Sequence, residues 1–259
     1  MEILVCVKRV PDLSENELEL NGADIERDGL VYSVNEPDNY AVEEALRMVQ
    51  DSGGHVTVAT VGGSDDEEVL RREMAMGANT GVLLSDDAFE GSDGRGVATI
   101  LKAYVQKNNF DLILTGVEAD DGAAQVGGML AAMLDYPFAS LVTSIEQNGG
   151  KTIKISREIE GGAKELNEID LPCVLSIQTG INEPRYVGMR GLKQVASREI
   201  PEYDAAALGV AGVGAAGAKV TRLDYFLPPA GAGAEMLGGD RDENIARVIE
   251  LLKAKGGVS

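Results

Sequence analysis

A loop of small residues carries the clearest chemical pattern in the chain. The short apolar run Leu112–Leu114 is followed by residues 115–128, TGVEADDGAAQVGG, within which a helical pattern begins. Small residues let a ligand approach the backbone closely, and a helix N-terminus offers free N–H groups to a phosphate. Asp120 and Asp121 are suited both to cap this helix and to bind a ribose hydroxyl. The loop therefore indicates a nucleotide site without identifying the nucleotide.

Other catalytic patterns are absent from the sequence. His55 is the only histidine, and its position at the start of an apolar run favours a structural or surface role. There is no His/Cys metal cluster, no Ser-His-Asp set, no P-loop and no G-x-G-x-x-G after the first apolar run. A redox-active Cys-x-x-Cys pair is missing too. If the protein handles electrons, a bound cofactor must carry them, and we expect no catalytic residue and no metal site.

Composition and charge narrow the class of protein. The chain has 259 residues, with 23 Lys plus Arg against 43 Asp plus Glu, which is a net charge of −20. A chain this acidic repels phosphate backbones and anionic membranes, so we expect no nucleic-acid partner. No apolar run reaches the ~18 residues that span a bilayer, so no membrane insertion is expected. Cys6 and Cys173 lie within apolar runs, which is typical of buried thiols in a reducing cytoplasm.

The elements that must position the loop alternate regularly along the first two thirds of the chain. Short apolar runs are typical of buried parallel strands, and they occur at Ile3–Val7, His55–Val61, Gly81–Leu84 and Leu112–Leu114. Helical patterns lie between and after them, at Tyr40–Val49, Glu67–Met76, Val97–Val105 and Ala123–Leu134. This alternation predicts an α/β fold with a doubly wound, mostly parallel sheet that is Rossmann-like and of the adenine nucleotide-binding type.

The predicted topology brings several loops to one edge of the sheet. Residues 8–12, 61–63 and 115–128 each follow the carboxyl end of a predicted strand. Asn35-Glu36-Pro37-Asp38 lies at the start of a helix, with Asp38 as the expected N-cap. Ligands of open α/β sheets bind beyond the carboxyl ends of the strands. The convergence therefore supports a nucleotide site at this edge.

The pattern changes after Pro137. Leu141–Ile145, Ile153–Ile159 and Val174–Ile177 predict strands, of which the first two form an additional small antiparallel region. Residues 15–33 predict an inserted hairpin. We expect residues 1–204 to form the nucleotide-binding core. Residues 205–259 then comprise a linker at Ala205–Ala218, a strand at Val220–Phe226 and a helix at Arg241–Lys253, and form a C-terminal arm free to pack on a partner.

Several motifs, in order, resemble the β subunit of electron transfer flavoproteins over nearly the whole chain. They are Val7–Asp12, Asn35–Ala45, Ala75–Asn79, Gly116–Gly127, Arg157–Gly162 and Asn182–Tyr186. The resemblance implies a heterodimer in which an α subunit holds most of the redox-active FAD and the C-terminal arm docks on it. It also implies an AMP on the β subunit, and electron transport from acyl-CoA or related flavin dehydrogenases, as in fatty acid β-oxidation, to a quinone oxidoreductase.

The resemblance also assigns cofactor-binding residues. They are Cys6, Asn35, Glu36, Pro37, Asp38, Val61, Ala119, Asp120, Asp121, Gly122, Ala123, Ala124, Gln125 and Val126. Cys6 and Val61 would provide backbone or small side-chain contacts, and Asp121 and Gln125 polar ones. A purely structural role as a buried strand residue fits Cys6 equally well.

The nucleotide loop fits the family pattern in two registers. In one, Asp121-Gly122 occupies the family's acidic pair, and Gly122 with Gln125-Val126-Gly127 resembles a branch that holds a second FAD and bifurcates electrons from NADH. In the other, Asp120-Asp121 is the acidic pair, which favours AMP. AMP is the commoner state of the family and is therefore the expected occupant, with a second FAD as the alternative.

Partner-binding residues implied by the resemblance are Leu13, Tyr186, Met189, Arg190 and Leu192. Met189 stands where the family usually has Leu, and it suits either an adaptable docking surface or the core side of a short helix. Leu13 would lie near the α-subunit flavin. A different class, a stand-alone nucleotide sensor similar to universal stress proteins, explains the sheet but not the strands after Pro137.

Overall fold

The computed structural model describes residues 1–50, 53–119, 122–147, 149–229, 231, 233–234 and 236–257. Asp120 and Asp121 therefore lie outside the described residues. The chain forms two compact units. The first comprises Met1–Glu19 and Glu26–Leu223, and the second comprises Leu20–Ile25 and Asp224–Ser259.

Strands and helices alternate through the first two thirds of the chain, as the apolar runs predict. The strands are β1 (Glu2–Cys6), β2 (Arg9–Pro11), β3 (Leu20–Asn21), β4 (Asp24–Ile25), β5 (Tyr32–Val34), β6 (His55–Val61), β7 (Thr80–Leu84), β8 (Leu112–Gly116), β9 (Phe138–Gln147), β10 (Thr152–Glu158), β11 (Lys164–Asp170), β12 (Cys173–Ile177) and β13 (Glu202–Tyr203). The helices are α1 (Glu36–Gln50), α2 (Glu67–Met76), α3 (Gly94–Val105), α4 (Val126–Leu134), α5 (Met189–Val195), α6 (Ala205–Leu208), α7 (Gly214–Gly217) and α8 (Arg241–Ala254).

Among the described residues, a nine-stranded sheet forms the centre of the first unit, in the order β11-β10-β9-β12-β8-β1-β6-β7-β13. Pairing is parallel from β9 through β12, β8, β1, β6 and β7 to β13. Only the β9–β10–β11 end is antiparallel. The predicted α/β fold, with its mostly parallel sheet and small antiparallel region, is confirmed.

Both faces of the sheet are covered, which explains why its strands are continuously apolar. Ile3 and Val5 of β1 pack with α1 and α2 on one face, while Leu4 packs with α3 and α4 on the other. All three side chains are fully buried. Burial on two faces removes the polar alternation of a one-sided strand.

The edge strand β11 was not predicted. Its sequence, KELNEID, is mostly exposed, and among the described strands it pairs only with β10. An exposed edge strand has little reason to carry apolar residues, and charged side chains protect such edges from pairing with other chains. Apolar patterning therefore gives no signal for it.

The segment 205–223 differs from the predicted linker and strand. It contains the short helices α6 and α7, and Leu208 and Gly214 are buried. The structure has no strand at Val220–Phe226, so that prediction is wrong. Backbone bonds to side chains of the core hold the segment instead, which no local sequence pattern reports.

The second unit contains a small hairpin and the last helix. Leu20 and Asn21 of β3 pair with Asp24 and Ile25 of β4, which confirms a hairpin within residues 15–33. The helix α8 confirms the predicted final helix and is capped by Asp240, whose carboxylate accepts the N–H groups of Asp242 and Glu243. Among the helices that the structure describes, none is both long and apolar enough to cross a membrane.

Candidate functional site

A cavity of about 710 Å³ opens at the carboxyl ends of β1, β6 and β8. Its size falls within the ~300–1,000 Å³ range of small-molecule pockets. The chain passes from β1 to β6 on one side and later returns to β8 on the other side of β1. The cavity therefore lies at the point where the strand order reverses, which is where open α/β sheets bind ligands.

Asp38 joins the two strand ends at this point. Its Oδ2 accepts the backbone N–H of Lys8 and its Oδ1 that of Gly116, each at 2.9 Å. The sequence predicted Asp38 as the N-cap of its helix, but α1 begins at Glu36 and Asp38 lies within the first turn. The side chain turns to the sheet because those two N–H groups, leaving β1 and β8, need acceptors in a buried place.

Burial shapes the electrostatics of the cavity floor. Burial raises the pKa of Asp38 to about 7, although hydrogen bonds from Asn35, Lys8 and Gly116 oppose the shift. Burial, with Asp38 nearby, also raises the pKa of the Cys6 thiol to about 12. Cys6 is an unpaired cysteine that lines the cavity. At neutral pH it is a protonated, apolar wall residue, not a nucleophile.

Asn35 is a buried polar residue of the cavity lining. It is 2% exposed, and its Nδ2 donates to the carbonyl of Glu118 at 2.8 Å. Its Oδ1 has no hydrogen-bond partner among the described residues. A buried acceptor without a partner costs free energy, so this atom is suited to a donor group of a bound ligand.

The described part of the small-residue loop at 115–128 lines the cavity and leads into the N-terminus of α4. Ala124 has φ +50°, a left-handed conformation that is uncommon for a residue with a side chain. Gly127 in the first turn of α4 packs so closely on β8 and β12 that a Cβ would collide with Ser176 Oγ. The close packing sets the N–H groups at the start of α4 against the cavity, where they favour an anion.

Most of the predicted cofactor-binding residues meet at this cavity. It is lined by Cys6, Asn35, Asp38, Val61, Ala119, Gly122, Ala123, Ala124, Gln125 and Val126. Glu36 and Pro37 lie beside it in the first turn of α1 but are not part of its lining. Asp120 and Asp121 lie outside the described residues, so their predicted contacts stay predictions.

One wall of the cavity is formed by residues that the sequence did not indicate. It combines residues 91–94, ahead of α3, with Val220 and Arg222. Asp93 joins the two parts, because its Oδ2 accepts the N–H of Lys219 at 2.6 Å and of Val220 at 3.2 Å. Asp93 before Gly94 is a recognisable helix cap, but nothing local indicates that residues 219–222 return to it.

The predicted partner-binding residues are mostly on the surface. Tyr186 is 93% exposed, Met189 69% and Leu13 56%. Met189 begins α5 and is exposed, which argues against the core interpretation, and its role in docking stays a prediction. Arg190 is exposed and Leu192 half-buried on the same helix.

These features define the chain as a doubly wound α/β protein with a cavity at the switch point of its sheet. Residues 23–208 match the family model of the electron transfer flavoprotein domain. The chain therefore belongs to the electron transfer flavoprotein family, whose role is electron transfer, and the resemblance carried by its motifs is confirmed.

The chain is similar to β subunits of this family over nearly its whole length. It is 37% identical over 259 residues to the electron transfer flavoprotein subunit beta of Methylophilus methylotrophus, covering 97% of this chain and 98% of that protein. The corresponding subunit of Bacillus subtilis is 32% identical over 260 residues, covering all of both. Subunit CarD of the caffeyl-CoA reductase-Etf complex of Acetobacterium woodii is 35% identical over 263 residues, covering 98% and 99%.

Proposed function

We propose that this chain is the β subunit of a heterodimeric electron transfer flavoprotein, binds AMP in its cavity and helps an α subunit to enclose FAD. The heterodimer carries electrons from acyl-CoA or related flavin dehydrogenases to a quinone oxidoreductase or another acceptor in the cytoplasm. The full-length similarity to proteins named subunit beta supports the assignment. The arm from residue 205 onward is proposed to dock on the α subunit.

The observation that carries the nucleotide proposal is the cavity at the switch point. Two features of its lining suit an adenine nucleotide. The N–H groups at the start of α4 and the cations of Lys8 and Arg222 favour a phosphate. The unpartnered Oδ1 of Asn35 is suited to accept a bond from an adenine amino group or a ribose hydroxyl.

The chain itself supplies binding and orientation, not redox chemistry. FAD, when bound, accepts and donates the electrons. Asp38 holds the ends of β1 and β8 in register so that the cavity keeps its shape. Cys6 stays protonated beside the nucleotide and offers no competing thiolate.

The second FAD is the alternative occupant. Gly122 and the sequence Gln125-Val126-Gly127 favour it, because they resemble the bifurcating branch of the family. In that case NADH is the electron donor and the loop belongs to the electron path. A stand-alone sensor is disfavoured, because strands β9 to β11 and the C-terminal arm have no role in it.

The test is to co-express the chain with an α-subunit candidate, purify the complex and count the nucleotides released on denaturation. One FAD and one AMP per heterodimer support the proposal. Two FAD support the bifurcating alternative. A homodimer that ignores the α subunit, or a heterodimer without a second adenine nucleotide, contradicts it.

A matched pair of variants locates the nucleotide. Gln125 lines the cavity, whereas Gln106 follows α3 and is exposed. We expect Gln125→Ala to lower the AMP content and to weaken AMP rebinding about tenfold, which is the loss of about one hydrogen bond to a charged group. Gln106→Ala removes the same atoms outside the cavity and is expected to retain AMP.

A further inference from the structure

Residues 186–192, called here the docking segment, form an exposed apolar surface between two anchored ends. Tyr186 and Met189 carry the most exposed apolar groups of the segment, at 93% and 69% exposure. Gly188 adds backbone freedom, whereas Gly191 packs closely on α2, where a Cβ would lie 3.2 Å from the carbonyl oxygen of Ala75. A segment of this kind loses conformational entropy when a partner orders it, unless the fold has already restricted it.

The first anchor is an ion pair between Arg185 and Glu43 of α1. Arg185 Nε donates to Glu43 Oε2 at 2.7 Å, and Arg185 Nη2 donates to Oε1 at 3.0 Å. The backbone N–H of Arg185 donates to the same carboxylate at 3.1 Å. Together these three bonds fix both the side chain and the main chain of Arg185, the residue before Tyr186. A bidentate pair of this geometry is among the stronger protein hydrogen bonds.

Glu43 is buried but remains charged. It is 3% exposed, and a fourth donor, Arg47 Nε, lies 2.9 Å from its Oε1. Burial alone would raise its pKa, but the bonds from Arg185 and Arg47 outweigh burial and hold the pKa below its ordinary value. A buried carboxylate with four donors is a rigid point of attachment.

Asn182 strengthens the same attachment. Its Nδ2 donates at 3.0 Å both to the carbonyl of Tyr40 and to Glu44 Oε2. The chain leading into the docking segment is thereby fixed to α1 at two residues, Asn182 and Arg185.

The far end of the docking segment has its own anchor on α2. Arg71 Nη1 lies 3.1–3.2 Å from the carbonyl oxygens of Val195, Ala196 and Arg198. Glu67 orients the guanidinium by accepting from Nη2 at 2.7 Å. Both ends of the segment are therefore tied to helices of the core, while the side chains of Tyr186 and Met189 stay exposed.

We propose that Glu43 is a positioning residue for partner recognition. Through its ion pair with Arg185 it holds the docking segment in its binding conformation before a partner binds. Glu43 is itself buried and acts through Arg185. The inference rests on the proposed function, in which a flavin dehydrogenase docks on this segment. Its consequence is that loss of the ion pair weakens docking while leaving electron transfer within the docked complex intact.

The test uses the assembled heterodimer with Glu43→Gln and, separately, Arg185→Gln. The electron donor is an acyl-CoA dehydrogenase reduced by its acyl-CoA substrate. We expect KM for the dehydrogenase to rise about tenfold in each variant, with kcat little changed. The double variant should raise KM no more than either single variant, because both remove the same ion pair. Arg185→Lys keeps the charge but loses the bidentate geometry, so its KM is expected to lie between those of wild type and Arg185→Gln. Arg95→Gln, an exposed arginine of α3, is the matched control and should behave as wild type.

Amide hydrogen exchange gives a second readout that does not depend on the partner. Exchange in residues 186–192 should speed up in both variants while β1 and β8 remain protected. Unchanged exchange overturns the inference, and so does faster exchange with an unchanged KM. If Glu43→Gln does not assemble, Arg185→Gln carries the test, because that side chain is half-exposed. A wild-type heterodimer that takes no electrons from the dehydrogenase contradicts the proposed function, and exchange alone then decides whether the anchor exists.

Discussion

The Oδ1 of Asp38 lies 2.9 Å from the backbone nitrogen of Gly116, across 78 positions of sequence. This bond ties the first turn of α1 to the end of β8 at the rim of the cavity. A side chain at position 116 has no room, because a Cβ would collide with Asp38 Oδ1 and lie 2.8 Å from Pro37 Cβ. The hydrogen bond between Asp38 and the backbone of residue 116 therefore requires glycine at this position.

Gly116→Ala is therefore expected to displace Asp38 and open the floor of the cavity. We expect a loss of about 1–3 kcal/mol in the free energy of unfolding, as for other overpacked sites, together with weaker AMP binding. Urea denaturation and equilibrium dialysis with AMP measure the two effects. Gly63→Ala is the control, since a Cβ there meets nothing within 4 Å. Equal stability and AMP affinity in the two variants would show that Asp38 adjusts freely.

Two buried carboxyl groups, Glu73 and Asp38, are expected to lower the free energy of unfolding as the pH rises from about 4 to about 8. Glu73 of α2 is fully buried, and neither carboxylate oxygen has a hydrogen-bond partner among the described residues. Burial raises its pKa to about 8, with Arg72 opposing and Asp38 adding to the shift. Because Glu73 and Asp38 titrate above their unfolded values of about 4, the folded chain holds protons that the unfolded chain has lost. Their favourable contribution is complete below about pH 4 and is lost progressively up to about pH 8.

Glu73→Gln tests this pH dependence. The variant mimics the protonated acid, so the decline in the free energy of unfolding between about pH 5 and 8 should be shallower, by at most about 1.4 kcal/mol per pH unit. Urea denaturation followed by circular dichroism at several pH values gives the slope. Glu68→Gln, on the exposed side of the same helix, should keep the wild-type slope. A Glu73→Gln slope equal to that of wild type would mean that Glu73 is ionised in the folded chain.

Asp93 has two separable tasks at the cavity wall. Its Oδ1 caps α3 through the N–H of Gly96 at 2.9 Å, and its Oδ2 holds Lys219 and Val220. Asp93→Ala should lose both, with a cost of about 1 kcal/mol from the cap alone and faster AMP release. Asp93→Asn keeps one oxygen for the cap but presents an NH₂ group to the backbone donors. We expect Asp93→Asn to retain most of the stability yet release AMP as fast as Asp93→Ala in stopped-flow dilution. Wild-type release from both variants would exclude a role for residues 219–222 in retention.

The net charge of −20 predicts salt-sensitive docking to a partner that presents a basic patch. Screening shortens the range of such steering to ~10 Å at 0.1 M salt. Stopped-flow measurement of the heterodimer with the reduced dehydrogenase should show an association rate that falls steeply as salt increases. A rate independent of salt excludes electrostatic steering.

Local apolar patterns predicted the parts of the fold that burial dictates. β6 and α2 begin and end where their sequences predict, and β1 and β8 differ by one or two residues. Where each begins and ends depends on residues that are neighbours in sequence, so local apolar patterning is sufficient to predict it. The resemblance to the family added the cavity residues, of which Cys6, Asn35 and Gln125 meet at one site.

By itself, the sequence determined an acidic α/β protein with a small-residue loop before α4, because composition and periodicity are properties of short stretches. Only the tertiary structure decided which partners three acidic side chains bind. Asp38 accepts hydrogen bonds from two strand ends instead of capping a helix. Asp93 accepts the backbone N–H groups of residues 219–220, and Glu43 forms an ion pair with Arg185. These bonds join residues 78, 126 and 142 positions apart. A polar side chain carries no local record of which distant donor it will meet, since that depends on how the strands and helices are arranged around the sheet.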